Sequence, residues 1–215
     1  MYRAVIFDVD GTLIDTREVT LECLRELIIK WSGKDAPVER LTPFFSMASV
    51  DAVEMLGLPE PEIRALEWVD MVAGRQDEMG LFDGVKELLD LLKSDGVPMA
   101  LATSRSRLEL EHGFAAYGLE GYFAFAVTAD DVEKSKPDPE PLLLCAQRLE
   151  CPPEQCLYIG DVPGDLAAAK AAGMDFGLAL WGADAKAGFE QADYHFESPS
   201  VVIQLWERLF NKRDK

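Results

Sequence analysis

Histidine is nearly missing from this chain, with two in 215 residues. The four cysteines, Cys23, Cys145, Cys151 and Cys156, contain no Cys-x-x-Cys pair, and neither histidine stands at zinc-finger spacing from them. That excludes a zinc finger and a thioredoxin-like redox motif, and leaves buried, reduced thiols as the expectation. Positive charge is scarce as well: 21 Lys and Arg face 39 Asp and Glu, for a formal net charge of −18. No basic cluster precedes the tail Lys212-Arg213-Asp214-Lys215, so the electrostatic footprint of a nucleic-acid binder is lacking. An anionic substrate would have to meet a locally inverted field, set by a metal or by placed cations. No apolar run reaches the roughly 18 residues of a membrane span. The opening "MYRAVIFDVDG" has a short apolar run that ends in acids, which suits neither an export signal nor a span. Internal repeats and low-complexity segments are absent too. These absences point to a cytoplasmic protein, a monomer or homodimer, with neither a membrane nor a nucleic acid as partner.

Hydrophobic residues make up 48% of the chain, enough for a substantial core. Short apolar runs bounded by turn residues predict strands at 97–103, 122–128, 156–161 and 175–180, with "ADYHF" at 192–196 as a last edge strand. Helical spacing fills the gaps: Gly84 to Gly96, 106–119, 140–150, and the Ala-rich "PGDLAAAKAAG", opened by Pro163 and closed by Gly173. Asp83 is a good N-cap for the first of these. Alternating strand and helix predicts an α/β fold, a parallel sheet covered on both faces, with "AVIFDVD" near its middle. The stretch from Thr16 to Gly80 breaks the rhythm. It holds three helical patterns, 17–33, 49–58 and 62–79, and no convincing strand. The chain therefore divides into an α/β core (1–15 and 81–215) and an inserted helical cap (16–80).

Ligands of open parallel sheets bind beyond the carboxyl ends of the strands. There the sequence places Asp8 and Asp10, then Thr103-Ser104-Arg105, then Asp161 with Asp165 four residues on, while "KSKPDPEP" presents Lys136. Clustered carboxylates repel and need a cation between them. Oxygen ligands with no His or Cys nearby favour Mg²⁺ over zinc. A carboxylate can attack a phosphoryl group, and a second carboxylate two residues on, on the same side of an extended segment, can move the proton. Gly11 allows a tight turn and brings its N–H toward phosphate oxygens. Asp165 also suits the N-terminus of a helix, where an acid favours the macrodipole. A calcium loop is excluded: a strand rather than a helix precedes "DVDG", and Thr16-Arg17-Glu18 misses the closing glutamate.

"DVDGTLIDT" resembles the D-x-D-G-T-[LV] signature of the haloacid dehalogenase-like phosphohydrolase superfamily. "MALATS", "KSKPDPEP" and "GDVPGD" match the family's remaining motifs in order. The resemblance covers nearly the whole chain and implies a Rossmann-like core with a helical C1 cap. It implies Asp8 as nucleophile and Asp10 as general acid/base. Mg²⁺ would be held by Asp8, the Asp10 backbone carbonyl and Asp161, supported by Asp165. Thr103 and Lys136 would bind the phosphoryl group, with Ser104 and Arg105 as weaker candidates. Lys136 is chosen over Lys134 because it directly precedes Pro137.

The second aspartate argues for phosphate transfer rather than dehalogenation. The C-terminal "LALWGADAKAGFEQADYHFESP" is similar to phosphoglycolate phosphatase-like and pyrophosphatase-like members, which implies a phosphatase acting on a small phosphorylated metabolite. A beta-phosphoglucomutase-like mutase and an inorganic pyrophosphatase are the alternatives. One departure lies in the cap: Ser46-Met47-Ala48-Ser49 stands where these branches often carry a glycine, so the specificity loop differs. Arg17, Arg64 and Arg75 could reach a second anionic group, but each is read first as a surface helix residue and none is ranked.

Overall fold

The computed structural model describes residues 1–119, 121–184 and 188–209. Six parallel strands form the main sheet: β1 (Ala4–Phe7), β4 (Met99–Ala102), β5 (Ala126–Val127), β6 (Cys156–Gly160), β7 (Asp175–Ala179) and β8 (Tyr194–Phe196). Their spatial order is β5-β4-β1-β6-β7-β8, so β1 lies between β4 and β6 as the sequence predicts. All four β1 residues are buried, the mark of a strand covered on both faces. Alternation sorts them. Val5 and Phe7 face a cluster with Leu88, Leu89 and Leu92 of α4 (Val85–Ser94) and Val202 and Trp206 of α8 (Pro199–Leu209). Ala4 and Ile6 face Leu142 and Cys145 of α6 (Glu140–Arg148) and Ala168 and Ala169 of α7 (Pro163–Ala172). The four cysteines are free and buried.

Residues 17–73 hold three helices: α1 (Arg17–Ser32), α2 (Ser49–Met55) and α3 (Pro61–Ala73). Leu24, Leu27, Val53, Ala65 and Trp68 build a third apolar cluster, to which Val162 is the buried contribution from the rest of the chain. The helical pattern expected over 62–79 breaks earlier: α3 ends at Ala73, Gly74 caps it, and a short 3-10 turn follows at Gln76–Glu78. A two-stranded antiparallel ribbon, β2 (Ile14–Asp15) with β3 (Gly80–Leu81), joins the points where the chain leaves and re-enters the α/β unit. Two residues per strand are too few to show alternation, so no strand was legible there. Likewise β5 keeps two residues of the seven expected, as an outer strand paired only with β4. Asp83 does not cap α4. Gly84 takes the N-cap in the left-handed region, at φ +84°, with no side-chain cap. Its turn packs on Pro199, 3.4 Å from where a Cβ would stand. The remaining helix, α5 (Arg107–Phe114), follows β4.

Candidate active site

The carboxyl ends of β4, β1 and β6 lie side by side, and three carboxylates meet there. Oxygens of Asp8, Asp161 and Asp165, all buried, lie within 4.8 Å of one another. The Asp8 N–H donates to the Ile159 carbonyl at 2.9 Å, which pins the end of β1 against β6. Lys136 reaches in from the loop before α6 and is itself 5% exposed at its side chain, against 71% for Lys134. Its Nζ donates to Asp8 Oδ1 at 2.8 Å, Asp165 Oδ1 at 2.7 Å and Tyr158 Oη at 3.0 Å. Asp165 is also a helix cap: its Oδ2 accepts the Asp161 and Val162 N–H groups at the start of α7. The expected helix N-terminal role is thus met, in a side chain that also lies in the carboxylate cluster.

Asp161 accepts from Thr12 Oγ1 at 3.2 Å and from Arg17 Nη2 at 2.9 Å. Arg17 is thus no surface helix residue. Its guanidinium also donates to the Gly182 carbonyl and lies 4.4 Å over the Phe45 ring, tying the first turn of α1 to the sheet edge. Arg64 departs from the same expectation: it is buried, donates to Glu67, and stacks on Trp31 at 3.7 Å. Arg75 pairs with Glu22 and Glu78 in the helical segment.

Gly11 is required by proximity. It has φ +77°, and a Cβ there would fall 2.2 Å from Asp161 Oδ2. Its N–H, expected to face phosphate oxygens, instead donates to the Ile14 carbonyl at 2.9 Å, because the turn after Asp10 closes on itself. Gly182 serves the same turn from the other side: a Cβ on it would overlap the Gly11 carbonyl, and Trp181 Nε1 donates to the Thr12 carbonyl at 2.9 Å.

Asp10 stands apart from the carboxylate cluster. Thr16 Oγ1 donates to it at 2.7 Å, and Arg105 grips it with two parallel bonds, Nε at 2.8 Å and Nη2 at 2.7 Å. Burial works to raise its pKa, but Arg105 and then Thr16 outweigh that and hold the carboxyl below the usual range. The Thr103 oxygen accepts the Arg105 N–H at 3.2 Å. The Ser104 hydroxyl is buried without a partner. Ser104, Asp8, Asp10, Lys136, Phe45, Ser46 and Val162 line a cavity of about 20 Å³. A second cavity, of about 90 Å³, shares Asp10, Ser104 and Phe45 with it and runs between the helical segment and α5.

Charge sets the chemistry of this edge. Burial pushes the Asp8 carboxyl up to about 7, helped by Asp165 and Asp10 and opposed by Lys136. Burial also pushes Asp161 well above its ordinary value, helped by Asp8 and Asp165 and opposed by Arg17. Among the described residues, the cations paired with Asp8, Asp161 and Asp165 are Lys136 and Arg17, so formal charge leaves one negative charge over. An all-oxygen, buried donor set with excess negative charge fits a hard divalent cation. Without a metal, a raised folded pKa means the native state holds protons that the unfolded chain has released. Stability from these groups is then fully present below 3.8, the ordinary carboxylate value, and is lost as pH rises to about 7. Metal-free protein is therefore expected to melt at a lower temperature near neutrality than in the mildly acidic range. A flat or rising melting temperature across that window would contradict this electrostatic picture.

Sequence reasoning passed over Thr12 and Tyr158 as site residues and left Arg17 unranked. Thr12 lies inside the matched signature, and Arg17 opens the helix directly after it, so both carried a positional signal. Tyr158 carried none, since an aromatic inside a strand reads as core.

A family model for haloacid dehalogenase-like hydrolases matches residues 5–179. A phosphoglycolate phosphatase of Escherichia coli K12 is 32% identical over 197 residues, covering 80% of this chain and 78% of its own. The pyrophosphatase PpaX of Bacillus velezensis is 29% identical over 206 residues, covering 94% of this chain and 95% of its own. Among solved structures, a Lactobacillus plantarum protein provisionally called a phosphoglycolate phosphatase superposes with a TM-score of 0.86 at 33% identity, covering 95% of this chain and 99% of its own. With its motifs converging on one sheet edge and its sequence matched across most of its length, this chain belongs to the haloacid dehalogenase-like hydrolase family.

Proposed function

We propose that this protein is a Mg²⁺-dependent phosphatase that hydrolyses a small phosphorylated metabolite through an aspartyl-phosphate on Asp8. One observation carries the reading. The Asp8 carboxylate, paired with Lys136, lines a small cavity together with Ser104 and Asp10. An Asp8 oxygen attacks phosphorus, and the bond from phosphorus to the leaving oxygen breaks. Asp10 is held ionised by Arg105 and Thr16 in the free protein; it takes up a proton from solvent as the phosphate dianion arrives beside it, and as the acid gives that proton to the leaving oxygen. Water then attacks the phosphorus of the acyl phosphate, Asp10 takes the water's proton, and inorganic phosphate leaves with Asp8 restored. Lys136 neutralises charge at the phosphoryl group while holding Asp8 in place, and the Ser104 and Thr103 hydroxyls donate to phosphoryl oxygens. Asp8, the Asp10 backbone carbonyl and Asp161 would hold Mg²⁺, with Asp165 behind them. The ion would offset the carboxylate charge that a phosphate dianion has to join.

Residues 16–80 act in this reading as the cap, with 1–15 and 81–215 as the core. The β2–β3 ribbon is the place for a hinge, and the specificity surface comes from the cap side of the larger cavity. That side is largely apolar, with Phe45, Met47, Trp68, Val69, Val72 and Met79, and its polar groups are Thr20, Ser49 and Gln76. A phosphatase is favoured over a sugar-phosphate mutase because a phosphoglycolate phosphatase relative is 32% identical, whereas the beta-phosphoglucomutase neighbour is 22% identical.

The test is phosphate release from a panel of phosphate esters and pyrophosphate, with Mg²⁺, by the native protein and by Asp8→Asn. A sharp preference that the variant loses supports the proposal. Interconversion of sugar phosphates with no net release would establish the mutase instead. Metal linkage supplies a separate check. At about a hundred times its dissociation constant, Mg²⁺ is expected to stabilise the fold by roughly 2.7 kcal/mol, read as a rise in melting temperature. No rise with millimolar-range Mg²⁺ would remove the metal from the account.

A further inference from the structure

The Lys136 ammonium has three hydrogens to give. Among the described residues four acceptors lie within reach: Asp8 Oδ1 at 2.8 Å, Asp165 Oδ1 at 2.7 Å, Tyr158 Oη at 3.0 Å and the Ala102 carbonyl at 3.3 Å. An ammonium on a flexible stem is also a rotor, and nothing in its own shape decides where each hydrogen points. Tyr158 sits in the middle of β6, fully buried. Its hydroxyl lies 2.8 Å from Asp165 Oδ1 and 3.4 Å from the Ala102 carbonyl, so it meets both acceptors that compete with Asp8 for Lys136. Burial, and then the charges of Asp165 and Asp8, push the hydroxyl's pKa well above the ordinary tyrosine value, so the proton stays on the oxygen. That single hydrogen goes to Asp165, the nearer acceptor, and the oxygen accepts from Lys136. Asp165 is then bonded on both sides. Its Oδ1 takes Tyr158 and Lys136, and its Oδ2 takes the Asp161 and Val162 N–H groups. The ring of Tyr158 packs on Phe176, 6.0 Å between centroids. A phenylalanine would fill that space as well, so packing does not account for the hydroxyl.

We propose that Tyr158 is a positioning residue: its hydroxyl turns the Lys136 ammonium toward Asp8 and the phosphoryl group that joins it. This rests on the phosphatase reading, in which Lys136 neutralises charge at the transferring group. One N–H of the ammonium is tied to Asp165 and one to Tyr158. The remaining N–H is left for Asp8, or for a phosphoryl oxygen beside Asp8. The bond from Tyr158 to Asp165 also satisfies part of a buried carboxylate that would otherwise draw on Lys136 alone through Oδ1. Without the hydroxyl, the Ala102 carbonyl takes the hydrogen that Tyr158 held. The ammonium then turns toward Asp165 and Ala102, and away from Asp8. Charge develops on the phosphoryl oxygens in the transition state, so a misaimed donor slows the chemical step more than it weakens substrate binding.

Tyr158→Phe removes one oxygen and keeps the ring, and a thermal melt checks that the fold is retained. On the phosphate ester that the native protein hydrolyses best, kcat is expected to fall about tenfold or more, with KM within about threefold. The same substitution made in Lys136→Met should change kcat by less than about twofold, because no ammonium is left to aim. An equal loss in both backgrounds would show that Tyr158 acts without Lys136, and would overturn the proposal. So would an unchanged kcat, or a loss confined to KM. The aim of the ammonium is also read without turnover, from the ¹⁵N–H signal of Lys136 in lysine-labelled protein, assigned by its loss in Lys136→Met. The native signal is expected to be ordered and slow to exchange, and to exchange at least about tenfold faster in Tyr158→Phe. A native signal as mobile as those of the surface lysines, or one that Tyr158→Phe leaves unchanged, would overturn the proposal. If the signal responds but the native protein releases no phosphate from any ester, the positioning stands and the phosphatase reading falls.

Discussion

Asp8→Asn is expected to lower phosphate release by on the order of a thousandfold or more, with the fold intact. An amide nitrogen or oxygen at that place cannot form the acyl phosphate, while the side-chain shape and the Ile159–Asp8 backbone bond are unchanged. The substitution also removes one negative charge from a cluster that carries one too many. The metal-free variant should consequently be at least as stable as the native protein, since a buried group pushed up to about 7 no longer has to ionise at neutral pH. Activity and stability thus move in opposite directions. A variant that lost both would have been inactivated by unfolding, and one that kept activity would move the nucleophile elsewhere. Steady-state release together with a thermal melt separates these outcomes.

Lys136→Met has the second largest expected effect, and here activity and stability fall together. The ammonium is the hub of the site: it bonds Asp8, Asp165 and Tyr158, and is nearly as buried as the carboxylates it serves. Deleting one partner of a buried ionic cluster costs roughly 3–5 kcal/mol, because the charges left behind stay desolvated and unpaired. Removing a donor aimed at the reacting group costs a further factor of about a hundred to a thousand in turnover. The stability loss should shrink at about pH 5, where Asp8 and Asp161 take up protons, and shrink again when Mg²⁺ is added at neutral pH. Chemical denaturation of native and variant protein at both pH values reads this directly. A loss below about 1 kcal/mol, or one that ignores pH, would mean that Lys136 does not carry the charge balance of the site.

The first strand, the order of motifs and the gathering of acids at one sheet edge were legible because each rests on a local pattern. Four buried residues in a row announce β1, and Asp8, Asp161 and Lys136 sit at strand ends and in a loop whose place follows from the topology. The ribbon of Ile14–Asp15 with Gly80–Leu81 was not legible, since two residues show no period and their pairing is set by the return of a distant segment. Arg17 and Arg64 were misplaced for a related reason. Both sit on helices whose charged residues look solvated along the chain, and only packing shows one lying on Asp161 and the other under Trp31. Gly11 shows how a right residue can carry a different reason. The turn needs it, but the need comes from the carboxylate of Asp161, 150 residues away in sequence, more than from an exposed N–H.

The central claim is a covalent bond between phosphorus and Asp8. It is tested most directly by acid-quenching the native protein during turnover with Mg²⁺ and mapping the phosphorylated peptide by mass spectrometry. The account predicts one phosphoryl group on the peptide that carries Asp8, chased away by further turnover and absent from Asp8→Asn. Phosphate release with no modified peptide at any quench time, or with the phosphoryl group on another residue, would contradict it.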